Sequence, residues 1–284
     1  MIACGAAKVA RGGRSTGKRS SAARVRTGRR TTGRAKSVFG DRLRLAATYL
    51  TSVRWYRGPR PTPAQTAAAV PLLPVVGSVL GLALGLVEWG ARALIGIQAL
   101  SCSLAVGLGV LLTGRLLLEA ITAFGALLAP FQAEEVLTEL RHGVRRPTGV
   151  LAVLILALAR YAALLALAPA QRLPALVLAE GLGASMLVWA AWRFPYARHQ
   201  GDFGEAFAHY LGPQDLVLAV PLLALSLAAF GTWAGAATFF LPGGALHLGA
   251  WLVARRLGGL TGELYAGLYQ LAAVAVLGVA AWLG

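Results

Sequence analysis

From about residue 70 onward the chain is a succession of apolar runs, each about as long as a bilayer is thick. That feature decides most of what it can fold into. A helix needs roughly 20 apolar residues to cross the hydrocarbon core, and in lipid only helices or closed barrels satisfy their own backbone groups. The runs fall near 70–88, 95–114, 149–168, 174–192, 215–232, 235–254 and 265–283, and no stretch shows a β pattern. The expected fold is therefore all-α: a polytopic membrane helix bundle of about seven spans. Only 13% of the residues are charged, and the mean hydropathy is +0.65, values unlike those of a soluble domain.

The net charge of +16 is unevenly placed. Residues 1–60 hold 16 of the 27 Lys and Arg but one of the 11 acids, Asp41, so the apolar body is nearly neutral. Residues 1–37 have almost no large hydrophobes and are expected to be a disordered basic tail, with the membrane domain covering 38–284. The tail has three readings: translation upstream of the functional start, an anchor to anionic lipid by way of residues 1–60, or a nucleic-acid arm. No aromatic interleaving or folded module accompanies the charge, so no nucleic-acid partner is expected. A surface helix is expected over Val38–Arg54, followed by a Pro-rich break. The two cysteines, Cys4 and Cys102, supply no disulfide framework and no zinc motif.

Basic residues concentrate in alternate loops. Arg141, Arg145 and Arg146 lie in one, Arg193 and Arg198 in another, and Arg255 and Arg256 before the last span; the intervening turns carry only Arg92 and Arg172. Positive loops favour the cytoplasm. The expectation is a multi-pass protein of the cell inner membrane, N-terminus cytoplasmic, in contact with membrane lipid, with its long polar loops on the cytoplasmic face. Two charges, Arg160 and Glu180, fall inside spans about ten residues either side of one turn. At 1.5 Å per residue both lie about 15 Å deep, and an unpaired charge there costs about 3 kcal/mol. An intramembrane ion pair is expected.

Three polar clusters can carry chemistry. Glu119 lies at an expected helix end, and Glu263 lies in "GGLTGEL". Magnesium takes a few carboxylates plus phosphate oxygens and water, which makes these two acids the candidate metal ligands. Gly258, Gly259, Thr261 and Gly262 precede a helix start, where backbone N–H groups favour phosphate. In "RFPYARHQGDFGEAF", Arg198 can hold a phosphate and Tyr196 can stack on a ring. Glu134, Glu135 and Glu139 read as the solvated face of a loop helix. The four histidines lack metal-ligand spacing, and His247 reads as a packed residue with one hydrogen bond.

Six segments in order, from about Leu43 to the C-terminus, make the chain resemble the cobalamin synthase family, adenosylcobinamide-GDP ribazoletransferase. They are "LRLAATYLTSV", "PLLPVVGSVLGLALGL", "LLTGRLLLEAITAFGALL", "GVLAVLILALARYAALLAL", "FPYARHQGDFGEAF" and "RRLGGLTGELYAGLYQLA". The resemblance implies magnesium as cofactor and condensation of adenosylcobinamide-GDP with α-ribazole or its phosphate, releasing GMP, late in cobalamin biosynthesis. It implies Glu119 and Glu263 as metal ligands, and Arg141, Arg198 and the backbone around Thr261 as phosphate contacts.

The departures from the family pattern are in the acidic motifs. The family's Gly-Gly-x-His-x-Asp-Gly-x-x-Asp-x-x-Asp stretch corresponds here to Gly114 onward and retains one of four polar ligand candidates, Glu119. A family Arg corresponds to Ala184, the acid of the last motif is Glu263 rather than Asp, and a later Glu corresponds to Gln270. Read this way, the chain is a transferase; the alternatives are a non-catalytic member acting as membrane scaffold or corrinoid-binding partner, or a small transporter.

Overall fold

The computed structural model describes residues 31–197 and 211–283. The tail expectations for residues 1–30, and Arg198 with the rest of its loop, lie outside the described residues. Eleven helices are described: α1 (Thr31–Leu50), α2 (Pro63–Ala69), α3 (Leu73–Ile95), α4 (Gln98–Leu112), α5 (Gly114–Leu127), α6 (Ala133–His142), α7 (Pro147–Ala166), α8 (Pro169–Arg193), α9 (Val220–Phe230), α10 (Thr232–Leu257) and α11 (Gly262–Leu283). The sole β pairing among the described residues is an isolated bridge, Tyr196 to Leu260.

Local chemistry sets several helix ends. Thr62 and Gln65 cap α2 reciprocally, and Gln132 and Glu135 do the same for α6. Pro147 and Pro169 open α7 and α8, where a missing N–H costs nothing. The helix expected over Val38–Arg54 stops at Leu50. Thr48 Oγ1 accepts from the N–H groups of Trp55 and Tyr56 at 3.1 and 3.0 Å, folding the chain back instead of continuing the helix.

Five helical stretches are long and apolar enough to cross a membrane: Pro63–Ile95, α7, α8, α10 and α11. The two other expected spans depart from simple rods. The 95–114 run ends at Leu112, and α4 and α5 meet at an angle of 81°, together making a broken sixth span. The 215–232 run is a shorter apolar helix, Leu216–Phe230. Glu119, expected at a helix end, therefore sits in the middle of α5.

The core is α8 packed between α3 and α11, with α7, α9 and α10 outside. Lipid tails are as apolar as Leu, so helices associate in a membrane by close packing of small residues. Gly77, Gly81 and Gly85 place one bare stripe of α3 on α8. A Cβ at Gly77 would strike the Glu180 carbonyl oxygen, and one at Gly81 the Leu176 carbonyl oxygen. These contacts pair the start of α3 with the far half of α8, so the two run antiparallel. Gly149 fits α7 against the Ile121 carbonyl of α5 in the same way.

These contacts define one end of the bundle. There the start of α3, the end of α8, the start of α7, the end of α10 and the start of α11 come together. The bent helix α5 lies at this end: Arg115 N donates to Ser52 Oγ at 3.1 Å, Gly125 packs on Arg146 and Gly267 packs on Phe124. At the opposite end α3 turns into α4 and α7 into α8.

Candidate functional site

The polar segment that follows α8 and the one that precedes α11 are held together by backbone. Leu260 N donates to Pro195 O, and Ala197 N donates to Leu260 O, both at 2.9 Å. Gly258 makes this possible by ending α10 in the left-handed conformation (φ 75°). Gly259 then passes so close to Pro195 that a Cβ would overlap its carbonyl oxygen. Three residues expected to bind phosphate or a ring, Tyr196, Gly258 and Gly259, thus share one junction. Of the backbone donors expected for phosphate, that of Leu260 is taken by this bridge.

Thr261, Gly262 and Glu263 continue into the first turn of α11. The Tyr196 ring lies over that of Tyr265, with centroids 6.4 Å apart. Thr261 Oγ1 and Tyr265 Oη are buried with no hydrogen-bond partner among the described residues, and one turn on so is Gln270 Nε2. Buried polar atoms are normally satisfied; Thr261 Oγ1 and Tyr265 Oη, one turn apart at the start of α11, lie on one side of it, and Gln270 Nε2 lies further along on another. Glu263 adds a carboxylate with one oxygen, Oε2, buried.

Glu119 lies at the same end of the bundle, on α5. It pairs with Arg115, Nε to Oε1 3.2 Å, and is one-third exposed. The Arg115 guanidinium stands 6.0 Å from the centre of the Tyr49 ring. Burial pushes the Tyr49 phenol above its ordinary pKa, against smaller opposing effects of its hydrogen bond with Thr66 and of Arg115. Among the described residues no group of three or more His, Cys, Asp or Glu could cage a metal. Arg141 is exposed at the last turn of α6. Its neighbour Arg146 is held instead, bidentate to Glu139 at 3.0 and 3.2 Å. Arg256 donates to the Phe131 carbonyl, tying the end of α10 to the segment before α6.

The intramembrane pair Arg160–Glu180 is formed, both residues are buried, and the Tyr269 hydroxyl donates to the second carboxylate oxygen of Glu180. A second buried network escaped the sequence reading. Arg172, assigned there to a turn, is 1% exposed and donates to Glu88 Oε1 and Gln98 Oε1, each at 2.9 Å, and to Leu167 O at 3.1 Å. It binds α3, α4, α7 and α8 together at the end away from the bridge. Its sequence signal was Glu88, an acid at the end of an apolar run with a single basic residue across each of two short turns. His247 is packed as expected, with its Nδ1 accepting from Trp189 Nε1 at 3.2 Å.

Comparison with known proteins gives a consistent result. The family model described as cobalamin-5-phosphate synthase matches residues 42–281. A protein of Stutzerimonas stutzeri named adenosylcobinamide-GDP ribazoletransferase is 31% identical over 83% of this chain and 95% of its own length. One of the same name from Roseiflexus sp. is 37% identical over 72% of this chain and 75% of its own. A third, from Pseudomonas paraeruginosa, is 34% identical over 83% and 95%. No solved structure matches. With the family pattern covering all but the basic N-terminal region and the last three residues, the chain belongs to the cobalamin-5-phosphate synthase family.

Proposed function

We infer that the chain is an adenosylcobinamide-GDP ribazoletransferase. It joins adenosylcobinamide-GDP to α-ribazole, or its phosphate, and releases GMP, a late step of cobalamin biosynthesis. A ribose hydroxyl oxygen bonds to the phosphorus nearer the corrinoid, the bond from that phosphorus to the bridging oxygen breaks, and GMP leaves with that oxygen. The hydroxyl proton is lost on attack. The observation that carries this reading is the bridge joining Tyr196 to Leu260, which sets Tyr196 and the Gly258–Glu263 motif at one end of the bundle.

The residues at this end offer oxygen donors of the kind magnesium takes. It needs few protein ligands when phosphates supply the rest, and Glu263, the buried Thr261 hydroxyl and Glu119 are hard oxygen donors. In this proposal Glu263 and Glu119 hold the ion, which would neutralise charge developing on the diphosphate. Gly258, Gly259 and Gly262 let the backbone approach phosphate. Arg141 and Arg198 supply positive charge to it, and Tyr196 stacks on a ring of a substrate. The bridged end faces the cytoplasm across the inner membrane, as the basic loops imply, and residues 1–60 adhere to anionic lipid.

A transporter would need a polar path, yet Arg160 and Glu180 are buried and engaged with each other and Tyr269. The test is turnover by the purified chain in vesicles given adenosylcobinamide-GDP, α-ribazole and Mg²⁺. The expected result is one GMP released for each cobalamin product formed. Folded protein that forms neither would refute the reading.

A further inference from the structure

A cavity of about 440 Å³ opens between α8, α10, α11 and the segment before α9 that holds Leu216 and Ala219. Small-ligand pockets run to roughly 300–1,000 Å³, with mostly apolar walls and a few polar groups that fix orientation. Here the walls include Trp189, Met186, Phe239 and Pro242, and the polar side chains are His247 and Ser185, whose hydroxyl already donates to Gly181 O at 2.8 Å. Trp189 meets His247 edge-on at 5.7 Å, and Phe194 stacks on the imidazole at 5.5 Å and 27°. Phe194 does not line the cavity, but it directly precedes Pro195, whose carbonyl accepts from Leu260, so His247 is joined through it to the Gly258–Glu263 segment.

The Trp189 bond also fixes the histidine tautomer. An indole N–H only donates, so His247 Nδ1 accepts and the neutral ring carries its proton on Nε2. We propose that this cavity is the slot for the base of the ribazole substrate, with His247 Nε2–H donating to the ring nitrogen not attached to ribose. A benzimidazole is flat, largely apolar and carries one such acceptor, matching an aromatic slot with one donor. Gly243 and Gly244 line the cavity, and a Cβ at either would enter open space, with nothing within 4 Å. This inference rests on the transferase reading for its ligand, and it makes His247 a specificity-determining residue.

The experiment compares α-ribazole with 1-α-ribosyl-5,6-dimethylindole, in which only that nitrogen is replaced by CH. Each is titrated into the full chain in lipid nanodiscs by tryptophan fluorescence, and the KM of both substrates is measured alongside. The wild type is expected to bind α-ribazole about tenfold more tightly than the indole, equivalent to about 1.4 kcal/mol. His247→Leu should abolish that preference. His247→Gln should retain it, because the amide oxygen and N–H replace Nδ1 and Nε2–H. Gly244→Leu narrows the slot without touching the histidine and should weaken both ribosides at least tenfold. The KM for adenosylcobinamide-GDP should stay within twofold throughout. Equal affinities in the wild type, a preference that survives in His247→Leu, or a lipid chain in the slot that α-ribazole does not displace would each overturn the proposal. If the preference holds but no variant turns over, the slot stands and the transferase reading fails.

Discussion

Gly259 passes so close to Pro195 that a methyl group on it would overlap the Pro195 carbonyl oxygen, the same oxygen that accepts from Leu260 N. The glycine and the backbone bridge are therefore one device. It fixes the segment after α8 against the start of α11, two stretches that share no helix.

Gly259→Ala is expected to separate these segments while leaving the spans packed. Turnover should fall at least tenfold, whereas the thermal unfolding midpoint in detergent should move by only a few degrees. Equal losses in both would place the glycine in the folding of the bundle instead of the site.

The Arg160–Glu180–Tyr269 network is fully buried, so removing one partner strands a charge in the bundle. Breaking a buried pair in this way costs about 3–5 kcal/mol. Arg160→Leu should show that loss in denaturant unfolding from micelles. Arg160→Leu with Glu180→Leu should recover much of it, because no charge remains. Tyr269→Phe, which removes one hydrogen bond to a charged group, should cost about 1.5–3 kcal/mol.

Arg172 satisfies acceptors on α3, α4 and α7 at once. A lysine cannot reproduce that fork. Arg172→Lys is expected to destabilise the chain nearly as much as Arg172→Leu, and to lower yield without changing the KM of the protein that folds.

Gly81→Leu should be poorly tolerated, since even a Cβ there overlaps the Leu176 carbonyl. Gly90→Ala, on the same helix with nothing within 4 Å, should match the wild type in unfolding midpoint.

The fold class was legible because long apolar runs admit few solutions in lipid. The depth-matched pair Arg160–Glu180 was legible because two isolated charges equidistant from one turn can meet. What escaped the reading depends on contacts made across the chain. Nothing in "LLTGRLLLEA" announces the 81° break, which puts α5 beside α7 and α11. Arg172 read as a loop charge because its partners Glu88 and Gln98 lie on another hairpin. In the candidate site, the sequence named Tyr196, Gly258 and Gly259 separately, and their pairing required a bridge between segments distant in sequence. The aromatic slot was invisible for the same reason: Trp189 and Phe194 meet His247 only when α8 and α10 pack.

Under the proposed function, Glu263 at the start of α11 serves phosphoryl transfer with magnesium. The most direct measurement is kcat/KM for adenosylcobinamide-GDP as a function of Mg²⁺, for the wild type and Glu263→Gln in the same vesicles. The account predicts strictly Mg²⁺-dependent turnover in the wild type. It predicts a loss of at least a hundredfold in Glu263→Gln at low Mg²⁺, partly recovered as Mg²⁺ rises. A Glu263→Gln protein within threefold of wild type at every Mg²⁺ concentration would contradict it.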